Sequence, residues 1–259
     1  MVGMHGQDIL GNIAILKFDW GEKLANKKRE ALKFLRMHKG VRTVLEKTGK
    51  FSGRLRTLKT RFLAGEKNLE ALYRENGCDF RINVESCYFS SRLASERKEV
   101  ASMVKKGENV LVLFGGVAPF ATIIAKLSKA KRIVSVELGR DCNKYAEMNV
   151  KRNKLNNVET IQGDVRKVLP KMKEKFDRIV MPRPKLEDSF LDVTFPRVKK
   201  GGIIQYYGFY KEDEIEKMIR MIFDEAKRAN KKIKILKIKP AGDIGWLKYR
   251  YRADIRILN

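Results

Sequence analysis

Histidine, cysteine and acidic residues are all scarce in this chain, and each shortage removes a class of chemistry. There are two histidines, His5 and His38, in 259 residues. Both lie far from the segment that carries the ligand signal below. A His-rich metal centre or a Ser-His-Asp triad is therefore not expected. The three cysteines, Cys78, Cys87 and Cys142, are an odd number at spacings that match no metal or disulfide framework. No metal is expected. Long apolar runs are missing too: nothing approaches the ~18 residues of a membrane span. The first residues lack the apolar centre of a signal peptide. A soluble cytoplasmic monomer with no membrane contact is the expectation.

The shortage of acids has the largest consequence. Lys and Arg number 57 against 31 Asp and Glu, a net charge of +26. Heat-adapted chains are rich in lysine and glutamate together, but here the two signs are unbalanced. A polyanionic partner, nucleic acid, is the reading that fits. The excess is concentrated: Lys23 to Arg61 holds fourteen Lys/Arg against two acids, Glu30 and Glu46. Lys227 to Arg256 holds eleven against two.

What is present in quantity is apolar residues, at 43% enough for a sizeable core. The chain is organised around Asn109 to Ala121. Val110 to Phe114 is a short β-branched run, long enough for a buried strand and too short for a helix. Gly115 and Gly116 break it, and Pro119 stands where a helix can begin. Strand, glycine turn and helix open a doubly wound sheet, and nucleotide-like ligands bind at that turn. By itself this corner is weak evidence, because many α/β proteins have one without a ligand.

The remaining pattern predicts Gly11–Phe18 as a strand and Glu22–His38 as a helix burying Leu24, Ala31, Leu32 and Leu35. Val41–Leu45 reads as another strand. A basic, glycine-punctuated stretch from Lys47 to Arg61 then holds Arg54 and Arg56. Leu69–Tyr73 and Asp79–Val84 flank a turn at Glu75–Gly77. A helix is predicted from about Tyr88 to Lys105, with Arg92 and Glu96 spaced for a simple surface ion pair. After Ala121–Ala130 come strand Arg132–Glu137, helix Cys142–Asn153, strand Val158–Gln162 and strand Asp177–Met181. Phe190–Val198 reads as helix, Gly201–Tyr207 as strand and Asp213–Ala229 as an amphipathic helix. Ile233–Ile238 and Tyr249–Ile257 are the last strands.

Two acids sharpen the ligand inference. Glu137 ends the second strand of this domain about 20 residues past the glycine turn, where an acid bonds ribose hydroxyls in nucleotide folds. Asp164 follows the third strand and can accept from an adenine amino group. The glycine corner with acids at successive strand ends points to adenosine, in the pattern of S-adenosylmethionine-dependent methyltransferases.

At this point the chain resembles a known family, the archaeal and eukaryotic tRNA guanine-37-N1 methyltransferases with the related wybutosine-pathway aminocarboxypropyl transferases. The residues that carry the resemblance include Gly11–Ala14, Ser52–Arg56, Leu63–Glu66, Glu75–Gly77, Tyr88–Ser90, Glu96-Arg97, Asn153–Asn157, Gly163–Arg166 and Gly201–Tyr207. It implies a class I methyltransferase fold, a Rossmann-like doubly wound α/β sheet, behind a small α+β RNA-facing domain. The domains implied are 1–87 for tRNA contact and 88–259 for S-adenosylmethionine. Many archaeal members carry a further N-terminal domain that grips the tRNA elbow, which this chain is expected to lack.

Guanine N1 carries a proton, so its methylation needs a base and a positive group for the charge that develops on O6. The resemblance implies Glu96 as the base, Arg56 as the O6 partner and Tyr88 beside methyl donor and target base. It implies cofactor contacts from Arg97, Phe114, Gly116, Pro119, Glu137, Leu138, Asp164, Val165 and Pro182. Read without the family, Glu96 pairs with Arg92 or Arg97 and Arg56 meets phosphates. The chain departs from the family pattern at Val112, at Ala118 and at Pro182-Arg183-Pro184, where relatives have Asn-Leu-Pro. Gly163-Asp-Val-Arg166 resembles the methyltransferase branch; the alternative is aminocarboxypropyl transfer, or an RNA-binding relative without catalysis.

Overall fold

The computed structural model describes residues 4–245 and 248–259. The first unit is a four-stranded sheet in the order β1-β2-β3-β4, formed by Met4–Leu10, Ile13–Phe18, Thr43–Lys47 and Thr60–Gly65. β1 and β2 form a hairpin, so the strand expected over Gly11–Phe18 is its second half. Gly11 turns the chain at φ +57°, and a Cβ there would lie 1.7 Å from the Leu72 carbonyl oxygen. Only glycine fits that approach.

Helix α1, Leu24–Met37, crosses from β2 to the parallel β3. It buries Lys27, Ala31 and Phe34; of the face expected, Ala31 is buried and Leu35 packs partly on the core, while Leu24 and Leu32 are exposed at 42% and 50%. Positions 27, 31 and 34 form a true i, i+4, i+7 stripe. Lys27 can belong to it because Glu46 on β3 accepts from its ammonium at 2.6 Å. Pattern reading counts a lysine as solvent-facing, and here that rule fails.

Strands β5, Glu70–Glu75, and β6, Cys78–Asn83, form a second hairpin. Its central residues Asn76 and Gly77 have φ of 47° and 76°, the positive pair a tight two-residue hairpin requires. A short 3₁₀ turn, Ser91–Leu93, leads into α2, Ala94–Ser102. The helix is shorter than the sequence predicts, and Ser90 makes no side-chain cap bond.

The main sheet has seven strands. In chain order the elements are β7 Asn109–Leu113, α3 Pro119–Leu127, β8 Arg132–Glu137, α4 Arg140–Arg152, β9 Val158–Gln162 and α5 Val165–Val168. Then follow β10 Phe176–Met181, α6 Leu191–Thr194, β11 Val198–Lys211, α7 Ile215–Arg228, β12 Ile233–Gly245 and β13 Lys248–Ile257. Across the sheet the order is β12-β13-β11-β10-β7-β8-β9, with β11 through β9 parallel and the β12-β13 hairpin antiparallel. β7 and β10 are neighbours although two strand-helix units separate them in sequence. The direction of winding reverses there, and the crevice at their C-terminal ends is where such sheets bind ligands. The helix expected over 190–198 is only α6 and a 3₁₀ turn ending at Arg197, and β11 begins at Val198, well before Gly201. Among the described residues no helix is long and apolar enough to cross a membrane.

The β5-β6 hairpin bridges the two units. It packs on β1 and β2 on one side and on α3 and α4 on the other. Two amides on α4 act as an extra ladder. Asn149 Oδ1 accepts from the Arg81 N–H at 2.8 Å, and its Nδ2 donates to the Arg81 and Val117 carbonyls. Asn153 repeats the exchange with Asp79. Asn149 is fully buried, so truncation would orphan groups that water cannot reach. Asn149→Ala is expected to cost about 2–3 kcal/mol, lowering the thermal midpoint by roughly 4–10 °C in calorimetry. An unchanged midpoint would show that the hairpin does not depend on this ladder.

Candidate functional site

The site is built on the C-terminal ends of β7, β8 and β9. Past β7 the backbone turns through left-handed conformations at Phe114, Gly116 and Ala118, with φ of 56°, 56° and 62°. Such strain in two residues with side chains persists only where surrounding packing holds it. Gly115 between them faces β8 so closely that a Cβ would lie 2.1 Å from Ser135 Oγ. Pro119 then occupies the first turn of α3.

Glu137 locks this turn to the next one. Its Oε2 accepts from the Gly116 N–H and its Oε1 from the Gly139 N–H, each at 2.7 Å. Burial pushes its pKa above the usual carboxylate value, against the pull of those backbone donors. Asp164 caps α5, its Oδ1 accepting from the Arg166 N–H and its Oδ2 from Arg54, both at 2.9 Å. Burial opposes its ionisation, but the Arg166 N–H and the Arg54 guanidinium outweigh that and hold its pKa below the usual value.

Between the two acids lies a cavity of about 810 Å³ counted to its open mouth, floored by Gly116 and walled by Phe114, Leu138, Val165 and Pro182. Phe190 extends the apolar wall, its ring 5.0 Å from that of Phe114 and edge-on. The loop carrying Pro182 to Phe190 is fastened from behind. Arg183 donates to the Tyr207 carbonyl at 3.1 Å and to the Leu186 and Asp188 carbonyls at 2.8 Å. Arg183 is thus a loop staple. Its neighbour Pro182 offers the cavity neither an N–H nor a polar side chain.

The opposite wall comes from the first unit. Ser52 and Thr57 exchange backbone hydrogen bonds at 3.0 and 3.1 Å, closing a loop that projects Arg54, Leu55 and Arg56 into the cavity. The Arg56 guanidinium sits 4.3 Å from the centre of the Tyr88 ring. Arg56, Tyr88 and Arg250 are shared with a second, wider cavity between the two units, lined also by Lys17, Lys47, Phe51 and Phe89.

Three of the residues expected at the site do not line the first cavity. Arg97 is 1% exposed and bonded to both oxygens of Glu75 at 2.5 and 2.6 Å. A guanidinium so buried requires an anion of its own, and it has one behind the site. Pro119 serves the start of α3. Glu96 is buried in a charged cluster, not paired with Arg92 or Arg97 as the bare sequence allowed. Its Oε1 accepts from Tyr207 Oη and Arg252 Nη1, both at 2.6 Å, and Lys239 lies 3.7 Å from Oε2. Arg92 pairs with Asp8 instead. The burial of Tyr207 and the charge of Glu96 push the phenol pKa well up.

Other members of the site carried no sequence signal. Cys142 lines the cavity, but its thiol donates to the Ser86 carbonyl at 3.3 Å, and its hydrogen bond with Cys87 and its burial push its pKa far up. It is no nucleophile. Arg250, Arg252 and Asp254 alternate along β13, a spacing that reads as a solvated strand face, yet they are 8%, 1% and 7% exposed. The basic surface expected over Lys227–Arg256 is therefore smaller than its charge count: Arg250 and Arg252 are interior, and Lys239 is bound to Glu99.

Comparison with known proteins places this geometry. Residues 71–236 match the TRM5/TYW2 methyltransferase domain, and residues 4–68 match the TYW2 N-terminal domain. The chain is 35% identical over 252 residues to tRNA (guanine(37)-N(1))-methyltransferase Trm5b of Pyrococcus abyssi, covering 96% of this chain and 74% of the relative. It is 34% identical to the tRNA (guanine(37)-N(1))/4-demethylwyosine(37)-methyltransferase Taw22 of Nanoarchaeum equitans, covering 97% and 99%. The crystal structure of Trm5b from Pyrococcus abyssi superposes with a TM-score of 0.86 at 34% identity, over 98% of this chain and 75% of that one. The structure of TYW2 from P. horikoshii in complex with MeSAdo shares the fold, with a TM-score of 0.81 at 22% identity.

Proposed function

Because the chain belongs to the TRM5/TYW2 methyltransferase family, we propose that it methylates N1 of guanine 37 in tRNA with S-adenosylmethionine as donor. One observation carries the reading: the cavity joins two strand-end acids with Arg56 and Tyr88 from the other side. An apolar slot with a carboxylate at either end fits an adenosine, whose base is flat and whose ribose hydroxyls and amino group are donors. In this reading Glu137 holds the ribose, Asp164 reads the adenine edge, and Phe114, Leu138, Val165 and Pro182 enclose the base. When bound, S-adenosylmethionine supplies an electrophilic methyl group on a positive sulfur.

The chain's own residues then have separable tasks. Arg56, with no carboxylate partner among the described residues, is free to face the negative charge that develops on O6. Tyr88 holds the Arg56 guanidinium against its ring. Glu96 takes the N1 proton through Oε2, since Oε1 already serves Tyr207 and Arg252, and this requires the extruded guanine to reach a buried carboxylate that lines neither cavity. Residues 1–87 would present the tRNA and residues 88–259 the donor.

A second reading follows from Pro182. With no polar group there to read a guanine edge, a tricyclic guanine derivative at position 37 is the competing acceptor, and aminocarboxypropyl transfer the competing reaction. The test is to incubate tRNA, either unmodified or carrying the tricyclic guanine derivative at position 37, with methyl-tritiated or carboxyl-carbon-labelled donor and map the label. Tritium at nucleotide 37, recovered as 1-methylguanosine, is expected. Retention of the carboxyl label would establish the other transfer, and absence of either label would defeat both.

A further inference from the structure

Among the described residues, the buried arginines have acceptors, with one exception. Arg97 has Glu75, Arg178 has Glu108, Arg183 has three carbonyls, and Arg252 has Glu96, Glu99 and Asp254. Arg250 is 8% exposed, yet among the described residues no carboxylate or carbonyl accepts from its side chain. Its guanidinium carbon lies 5.1 Å from the centre of the Phe209 ring. Arginine cannot discard its charge, and a desolvated guanidinium without an acceptor is costly.

Its position says where an acceptor would come from. Arg250 lines both cavities, at the junction it shares with Arg56 and Tyr88. Two further cations on the second cavity have no acid paired with them among the described residues. Arg56 Nε is buried with no hydrogen-bond partner. Lys47 lies 5.0 Å from the centre of the Phe51 ring, and burial, with the charges of Lys17 and Arg56, lowers its pKa against the pull of Asp8. The acid on that wall, Asp8, is already taken by Lys17 and Arg92. Cations therefore converge on the junction beside the rings of Phe51, Tyr88 and Phe89.

We infer that Arg250, together with Lys47 and beside the Arg56 that faces O6, grips a phosphate flanking the target nucleotide where the two cavities meet. The inference rests on the reading of a polynucleotide substrate. An extruded nucleotide brings a base for the aromatic faces and flanking phosphates for the cations. The donor's carboxylate is the other anion within reach of Arg250, but Lys47 lines the second cavity alone, so a donor in the first cavity leaves that cation unanswered. Arg250 thereby fixes the position of the base and takes no part in proton transfer.

The test is a cycle between Arg250→Met and tRNA carrying a neutral methylphosphonate at one or the other phosphate flanking nucleotide 37, read by filter binding across salt concentrations. Arg250→Met is expected to weaken tRNA binding roughly 10- to 100-fold and to reduce the salt slope by about one. One methylphosphonate should weaken wild-type binding comparably and weaken Arg250→Met binding much less, by the Lys47 share alone. Calorimetry with S-adenosylmethionine should give the wild-type affinity. Arg250→Lys, which keeps the charge, should recover part of the loss and serves the same cycle if Arg250→Met fails to fold. Losses that multiply, or a loss of donor affinity in place of tRNA affinity, would overturn the assignment. Failure of the wild type to bind tRNA would overturn the underlying reading as well. Wild-type binding with multiplying losses overturns the role of Arg250 alone.

Discussion

Glu137→Ala is expected to weaken S-adenosylmethionine binding by about 10²- to 10³-fold in calorimetry while the chain stays folded. The carboxylate does two jobs that no neighbour can take over. It accepts from the Gly116 and Gly139 N–H groups, fixing the turns after β7 and β8 against each other, and in the proposed reading its remaining lone pairs take ribose hydroxyls. Hydrogen bonds to a charged acceptor contribute about 1.5–3 kcal/mol each, so losing the ribose contacts and the turn geometry together reaches that range. The pH dependence gives a second handle. Burial raises the Glu137 pKa, so the folded chain binds this proton more tightly than the unfolded one. Its contribution to stability is then present at low pH and lost as pH rises from the unfolded through the folded pKa. Donor affinity runs the other way, because protonation removes an acceptor: it should fall as pH drops through the raised pKa, above the ordinary ~4.3 of glutamate. Glu137→Gln should flatten that profile. A wild-type affinity that stays level across the acid range would mean the ribose is not held by this side chain.

The parts of the fold set by local pattern were legible. The run Val110–Phe114, the glycine corner and Pro119 predict β7 and α3, and Glu137 and Asp164 stand at the strand ends that face one cavity. Those features depend on nearest neighbours and on strand period, which a sequence displays. What was not legible depends on pairing between distant residues. Lys27 looks like a solvent residue until Glu46 is placed beside it. Arg252 and Asp254 look like an exposed strand face until β13 is paired with β11 and covered by α2. Arg97 is a cofactor contact in the reading that the family resemblance implies. The helix turns neighbours to different faces, and Glu75 claims it from behind. The second hairpin shows the same limit, since its strands are evident and its ladder to Asn149 and Asn153 is not.

Glu96 is where stability and chemistry compete, and its variants separate the two. Glu96→Ala removes one partner from a buried cluster in which Arg252 is 1% exposed. Breaking a buried pair from one side costs about 3–5 kcal/mol, so this variant should unfold at markedly lower denaturant. Glu96→Gln keeps an oxygen acceptor for Tyr207 and Arg252 but cannot take a proton. It should lose less stability, keep donor affinity, and lower methyl transfer about 10²- to 10⁴-fold, the usual worth of a positioned base. Arg56→Ala offers the contrast: its guanidinium makes ring contacts and, among the described residues, no ion pair, so stability should barely change. Methyl transfer should fall about 10²-fold or more through loss of the O6 partner. If Glu96→Gln is as active as wild type at single turnover, then Glu96 is a keystone of the α2–β13 contact only. The base must then be sought among groups that reach the cavity when tRNA is bound. If Glu96→Gln is slow and Tyr207→Phe is not, the carboxylate acts directly, and the phenol serves only to hold Oε1 while Oε2 takes the proton.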